Sequence, residues 1–529
     1  MIEVPTLNWI GKDKVVNHAN DVPFHVLERK YSFDAQGKHE EDNGSQNKII
    51  HGDNLLVLKS LLPEYEGKIK CIYIDPPYNT GNEGWIYNDN VNSPQIKKWI
   101  GEVVGKEGED LSRHDKWLCM MYPRLKLLRR LLADDGAIFI SIDSNELANL
   151  TFLCNEIFGI TCFVDYISWF KKASPSNDAK YFSNDIEYIL VYVKNKSIWK
   201  PNRLPLTDKQ LKNYQNPDND PRGKWNSATY TCNKTKIQRP NLYYPIMNPN
   251  TGEEILPKDT AVWAYSKEQY IEHAKNDLIY WGVDGKSKIP RFKKFLSGHQ
   301  GVVNRTLWHY DDVNHTQGAS IELKKINIYG FDTPKPTKLI SRIIQIAMNK
   351  DSIILDSFAG SGTTAHAVLK LNKEDGGNRK FILVEMEDYA ERITAERVKR
   401  VIQGYGDIEG TGGDFNFYEI GEPLLVDDDL NESVPLERIR AYVWYTETKT
   451  PYIEPSGAST AFLGAYKDTA YYFHYEKDNR TSLDFAFLQT ISEKATNYVI
   501  YADECALDDD FLASHSITFK KIPRDISKL

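Results

Sequence analysis

Cysteine is scarce in this chain: there are six in 529 residues, at 71, 119, 154, 162, 232 and 505, and no two form a Cys-x-x-Cys pair. That spacing speaks against a disulfide framework and against a structural zinc site, so no metal is expected, and it fits a reducing cytoplasm. No apolar run is long enough to span a bilayer, so no membrane association is expected. The opening Met1-Ile2-Glu3-Val4-Pro5 lacks a basic stretch followed by an apolar one, so no secretory signal is expected. A phosphate loop of the Gly-x-x-x-x-Gly-Lys-Ser/Thr kind is also missing, which excludes an ATPase part built on one. What the chain has is bulk. With 41% hydrophobic and 12% aromatic residues over this length, two or three cored domains are expected.

A formal net charge of -8 looks wrong for a nucleic-acid binder until it is divided along the chain. Residues 161–330 hold 25 Lys and Arg against 17 Asp and Glu, whereas residues 402–529 hold 11 against 23. A basic middle sits inside an acidic protein, and the average conceals it. The middle is rich in Pro, Asn, Tyr and Trp, as in Asn219-Asp220-Pro221-Arg222-Gly223-Lys224-Trp225 and Pro290-Arg291-Phe292-Lys293-Lys294-Phe295. Cations interleaved with aromatics suit phosphates and stacked bases; an inserted domain with ordinary surface lysines has the same composition.

The chemistry centres on Asp75-Pro76-Pro77-Tyr78-Asn79-Thr80-Gly81, which follows the short apolar run 70–74. Such a run stopped by two prolines reads as a buried parallel strand from which the chain leaves extended. Asp75 then stands at the carboxyl end of a strand, where open α/β sheets place their ligands. Its carboxylate and the Pro76 carbonyl are two acceptors beside the Tyr78 ring, a set that suits a planar group carrying an exocyclic NH2. Taken alone, these residues also read as a strand end with a turn and a structural tyrosine.

Around this stretch the pattern alternates. Residues 48–52 read as a strand turning at Gly52-Asp53, and 55–62 as a short helix. Residues 81–110 read as a long loop, functional or mobile. Trp117, Met121, Leu125, Leu128 and Leu132 lie on one face of a helix over 114–132. Residues 137–142, 163–169 and 186–193 read as further strands, and the alternation implies βα units with a mainly parallel sheet. The first 45 residues read as an irregular polar arm. The pattern dissolves from about 195 and returns at Thr337. There, strand 352–356 runs into Ser357-Phe358-Ala359-Gly360-Ser361-Gly362-Thr363-Thr364, a helix, and strand 380–384 ending at Glu385. A strand, a glycine turn, a helix and a second strand ending in an acid make a nucleotide-binding layout, the acid being placed for ribose hydroxyls. With no lysine after Gly362, an adenosine without a phosphate fits better than ATP. Residues beyond about 405 read as a small acidic α/β module.

The two halves together resemble an amino-methylating DNA methyltransferase of the β arrangement, in which the Asp-Pro-Pro-Tyr half precedes the recognition insert and the cofactor half. The chain is similar above all to the modification subunit of Type III restriction–modification systems. Besides the two motifs above, Tyr87-Asn88-Asp89-Asn90, Trp117-Leu118-Cys119-Met120-Met121-Tyr122-Pro123-Arg124-Leu125 and Phe139-Ile140-Ser141-Ile142-Asp143 carry the likeness. It is strong over 48–194 and 335–402, positional only in the insert, and loose in the tail. The resemblance implies an α/β Rossmann-like sheet with an inserted target recognition domain and a small C-terminal module. Its boundaries would be an arm at 1–45, a catalytic half at 46–194, an insert at 195–330, a cofactor half at 331–404 and an acidic module at 405–529. It implies S-adenosylmethionine as cofactor and a target base turned out of double-stranded DNA. Asp75, Pro76, Pro77 and Tyr78 would be catalytic. Asp53, Asp356, Phe358, Gly360, Gly362, Thr363 and Glu385 would hold the cofactor. Lys335 and Lys338 would begin the helix over its methionine end, and Asp143 reads as structural. A homodimer and a separate restriction subunit with helicase and nuclease activity are the implied partners.

Alternatives remain at this level. Cytosine N4 presents the same amino group as adenine N6, although Asp at the first motif position favours adenine. A stand-alone enzyme without a restriction partner, a non-catalytic recognition subunit, and a methyltransferase acting on RNA or a protein amide fit parts of the pattern. The intact Asp75 and Gly360 and the large basic insert favour a DNA enzyme.

Overall fold

The computed structural model describes residues 6–80, 94–105, 112–177, 179–426, 429–450, 452–455, 461–523 and 526. Gly81, the Tyr87-Asn88-Asp89-Asn90 motif and much of the stretch 81–110 lie outside the described residues. Within that stretch, expected as one loop, Pro94–Val104 is a helix. The chain forms two compact units: Met1–Asn202 with Arg305–Leu529, and Arg203–Asn304.

The first unit is organised on a mixed sheet of eleven strands. In chain order these are β1 (His25–Asp34), β2 (Gly37–His39), β3 (Lys48–His51), β4 (Ile69–Ile74), β5 (Leu132–Ile142), β6 (Phe163–Phe170), β7 (Ile186–Val193), β8 (Leu307–Trp308), β9 (Ile353–Asp356), β10 (Lys380–Glu385) and β11 (Asp414–Pro423). Across the sheet the order is β8-β6-β7-β5-β4-β9-β10-β3-β11-β1-β2. From β5 to β11 the strands are parallel, whereas β7 runs antiparallel to both β5 and β6, and β1 to both β11 and β2. β4 is paired on both edges, Cys71 standing opposite Ala137 on one side and Ile354 on the other. Five of its six residues are buried, which is why Ile-Lys-Cys-Ile-Tyr-Ile is almost continuously apolar.

Helices α1 (Asn54–Tyr65), α2 (Arg113–Leu131), α3 (Leu147–Phe158), α4 (Thr337–Ala347), α5 (Thr363–Asp375) and α6 (Glu396–Gln403) accompany this sheet. The face of α2 that carries Trp117, Met121, Leu125 and Leu128 is buried, but so are Leu118, Met120, Leu127 and Leu131, because α1, α3 and the N-terminal turns also pack on it. From β4 the sheet grows outward to β5, and from β9 outward to β10 in the other direction. The chain order therefore reverses between β4 and β9, which creates a crevice at the carboxyl ends of these two strands.

Two stretches expected outside the sheet enter it. The polar arm contributes β1, ten residues long, with Tyr31 opposite Phe417 and their rings stacked at 5.1 Å. Its partner β11 comes from the acidic C-terminal stretch and pairs with β3 on its other edge. Beyond it lie helix α7 (Leu436–Thr448) and a four-stranded sheet of β12 (Phe462–Tyr466), β13 (Thr469–Phe473), β14 (Asn497–Ala502) and β15 (Ile517–Lys521), in that order. Glu447 of α7 joins Tyr501 at 2.6 Å and Lys520 at 2.5 Å.

The second unit is narrower than the insert expected at 195–330, because residues after 304 supply β8 and the helix Thr316–Lys325 to the first unit. Its core holds Tyr230, Tyr244, Trp263, Ile279 and Trp281, and a three-stranded antiparallel sheet joins Ile279–Tyr280, Arg291–Phe295 and Trp225–Thr229. This corrects part of the composition argument. Trp225 is buried with its indole N–H on Asp218 at 2.9 Å, and Lys293 is buried in contact with Asp218 at 2.6 Å and with Asp220 and Asp277 at 3.0 Å. These members of the cation–aromatic pattern build the unit and are not surface ligands.

A buried charge cluster loses its balance when one partner goes. Lys293→Ala should therefore destabilise the second unit by about 3 kcal/mol in denaturant unfolding; an unchanged midpoint would show that the cluster carries no weight.

Candidate active site

Asp75 follows β4 directly and is 7% exposed. Lys335 Nζ donates to both of its oxygens, at 2.8 and 2.7 Å, and the Tyr78 hydroxyl donates to Oδ1 at 2.8 Å. The same hydroxyl reaches Glu187 Oε2 at 3.1 Å, and Lys171 Nζ donates to Glu187 Oε1 at 2.9 Å. Sheet geometry explains the meeting. β7 is antiparallel to β5, so its first residues lie at the edge where the parallel strands end, with Tyr188 opposite Ile142. β6 is antiparallel to β7, so Lys171, just past its last residue, arrives at the same edge. Two carboxylates and two ammonium groups balance there.

Burial alone would lower the Lys335 ammonium, but the Asp75 and Glu187 carboxylates outweigh it and hold the amine charged. Burial pushes the Asp75 carboxyl up against the pull of Lys335, with Glu187 adding to the rise. At Glu187 burial works upward too, yet Lys335 and Lys171 hold it below the usual carboxylate range.

The turn after the prolines is fixed from behind. Trp117 Nε1 donates to the Pro77 carbonyl at 2.7 Å. Asn79 adopts φ 59°, and its amide donates to Glu146, whose Oε1 also meets His114 Nδ1 at 2.6 Å. The Pro76 carbonyl has no hydrogen-bond partner among the described residues.

Across the crevice β9 ends at buried Asp356. Its carboxylate accepts from Phe358 N at 3.1 Å and from the Thr364 hydroxyl at 2.5 Å. Burial nevertheless pushes this carboxyl up to about 7, and the nearby charge of Asp75 adds to the rise. Gly360 and Gly362 sit at φ 52° and 78°, and a Cβ on Gly362 would stand 2.9 Å from the Thr394 carbonyl. Gly360 N donates to Glu385 Oε2 at 2.7 Å and Glu387 N to Oε1 at 3.1 Å, so Glu385 braces the turn at the end of β10. Buried Arg397 donates to Ser361 Oγ at 2.9 Å, Thr363 Oγ1 at 2.7 Å and Thr337 Oγ1 at 3.1 Å, and Thr363 Oγ1 donates to the Lys335 carbonyl at 3.2 Å. These bonds tie the glycine turn to the segment that carries Lys335.

Asp75, Asp356, Phe358, Gly360 and Thr363 line one cleft with Tyr73, Phe331 and Lys335. Its free volume is about 20 Å³, room for one water. Pro76, Pro77, Tyr78, Gly362 and Glu385 are not among its lining residues. Asp53 caps α1, accepting from Leu55 N at 2.8 Å. Asp143 holds its own turn through Asn145 at 2.8 Å, and Lys338 is exposed. Glu187, Lys171 and Arg397 escaped the sequence reading. The one signal for Glu187 is an acid at the start of the apolar run 186–193, which needs a buried partner.

The profile of the DNA methylase family matches residues 69–396. The chain belongs to this family. It is 38% identical over 397 residues to the Type III restriction-modification enzyme StyLTI Mod subunit of Salmonella typhimurium, covering 72% of this chain and 58% of that one. It is 33% identical over 405 residues to the Type II methyltransferase M.KpnI of Klebsiella pneumoniae, covering 70% and 89%. The chain thus spans about three fifths of the length of the StyLTI relative. The solved PvuII DNA methyltransferase, cytosine-N4-specific, aligns at 13% identity and a TM-score of 0.35 over 67% of this chain and 86% of that one.

The raised Asp356 carboxyl makes a pH prediction. The stability it contributes is fully present below the ordinary aspartate value of 3.8 and is lost as pH rises toward about 7. Asp356→Asn lacks this titration. Its stability relative to wild type should climb with pH through that window, by up to about 1.4 kcal/mol per pH unit. Urea unfolding at several pH values checks this, and a constant difference would contradict it.

Proposed function

We propose that the chain is a site-specific DNA methyltransferase that transfers a methyl group from S-adenosylmethionine to adenine N6 of a base turned out of the duplex. One observation carries the reading. The Asp75 carboxylate at the end of β4 and the glycine turn at the end of β9 border a single crevice at the switch point of the sheet.

The glycine side fits an adenosyl sulfonium amino acid. Gly360 lines the cleft with no side chain of its own, the Ser357 hydroxyl is buried without a partner among the described residues, and Asp356 is poised to ionise beside an ammonium. We assign Phe358, Gly360, Gly362 and Thr363 to the methionine part, Asp356 to its amino group, Glu385 to the ribose and Asp53 to the rim. A ligand of this size requires residues 331–334, which cover the cleft ahead of the tethered Lys335, to move outward. When bound, the cofactor supplies an electrophilic methyl group. The protein's share is orientation. An exocyclic amine is a poor nucleophile because its lone pair is delocalised into the ring. With its two hydrogens on Asp75 and on the Pro76 carbonyl, the nitrogen moves toward tetrahedral geometry and the lone pair is released. The Tyr78 ring stacks on the base, and Trp117 fixes the turn that carries it.

We assign target recognition to the second unit, which holds sixteen Lys and Arg against ten Asp and Glu. The likeness to Mod subunits supports a Type III modification role beside a restriction subunit; we propose further that the chain works in the cytoplasm as a homodimer and that this partner carries the helicase and nuclease.

Asp75→Ala and Tyr78→Ala should each lower methyl transfer by at least about 10²-fold while cofactor affinity stays within a few-fold. Folding should survive Asp75→Ala, because Glu187 stands 3.6 Å from the ammonium that Asp75 leaves. Gly360→Asp should abolish cofactor binding in calorimetry. Wild-type turnover in the first two variants, or full binding in the third, would remove the respective assignment.

A further inference from the structure

In this structure the ammonium of Lys335 stands where the substrate amine is due. It donates to both oxygens of Asp75 and lies 5.0 Å from the centroid of the Tyr78 ring. An amine on the Asp75 carboxylate against that ring is the contact pattern the proposed substrate would make. Base and ammonium cannot hold Asp75 in this way together. The lysine has to leave, and a buried ammonium without a partner is costly.

A second carboxylate is within reach. Glu187 Oε2 is 3.6 Å from Lys335 Nζ, outside hydrogen-bond distance but close enough for a small side-chain swing to close. Glu187 is itself buried and held by Lys171 and the Tyr78 hydroxyl. The charged groups facing the ammonium are thus Asp75 and Glu187, with Lys171 behind Glu187 and Asp356 across the cleft. The backbone of Lys335 is restrained by Thr363, so movement falls to its four-carbon stem.

We infer that Lys335 is an internal stand-in for the substrate amine and that Glu187 is the positioning residue that receives it when the target base takes Asp75. The inference rests on the DNA methyltransferase reading and adds a residue to it. Glu187 keeps the displaced ammonium paired, so exchange of lysine for base leaves no buried charge alone.

The test uses the full-length protein and a duplex with the target adenine intact and 2-aminopurine as its neighbour, the recognition sequence being read first from DNA of expressing cells. Wild type should raise the fluorescence as the base leaves the stack. Glu187→Gln should weaken this flipped state at least tenfold with duplex affinity nearly unchanged. In a Lys335→Met background the same Glu187→Gln change should alter flipping less than twofold, because no ammonium needs a second site. An equal loss in both backgrounds, or no loss in either, overturns the inference. A crystal of wild type on its target duplex gives a test independent of variant folding. Lys335 Nζ should then hydrogen-bond Glu187 and be off Asp75; an ammonium still on Asp75 with the base in the pocket overturns it. If wild type neither flips nor methylates the base, the methyltransferase reading fails instead.

Discussion

The ion pair between Lys335 and Asp75 is the contact on which the rest of the site depends. It joins Asp75, just past β4, to Lys335, two residues before α4 and 260 positions later in the chain. Burying two charges costs several kcal/mol each unless they are paired and hydrogen-bonded, and here the requirement is met by Tyr78, Glu187 and Lys171. The pair closes the crevice between the two halves of the sheet. It also sets the pull of an ammonium against the upward push of burial on the Asp75 carboxyl, in a place from which water is largely excluded, the condition under which fixed acceptors orient an amine best.

The sheet supplies the scaffold for this arrangement. β4 and β9 are neighbours, and each ends in a sharp departure, at two prolines in one case and a glycine turn in the other. Chain reversal at this pair puts both departures at one edge. The antiparallel β7 then brings Glu187 to the edge from the opposite direction, a service that a wholly parallel sheet could not offer at that position. Arg397 and Thr363 lock the glycine turn to the Lys335 segment, so the glycine-turn side and the Asp75 side of the crevice are mechanically connected.

What was readable from the residues followed their local strength. Apolar strands 70–74 and 352–356, punctuated by Pro76-Pro77 and by Gly360 and Gly362, announced themselves, as did the acid-bearing ends Asp75 and Glu385. β1 did not, because its partner β11 lies nearly four hundred residues away and its own alternation is interrupted by charge. Glu187 was hidden too, since it lies 109 residues from Tyr78 and nothing near it in the chain says that Tyr78 and Lys335 converge on it. In the second unit the reading misjudged Trp225 and Lys293. Cations and aromatics make the same pattern when they build a small polar core as when they face a nucleic acid, and only burial separates the two.

Sequencing native DNA from cells that express the chain, with modified bases read directly, tests the central claim most simply. The account predicts N6-methyladenine at one defined sequence, absent from cells expressing an inactive control. Methylation confined to cytosine N4 would contradict the base assignment, and the absence of any modified base would contradict the account as a whole.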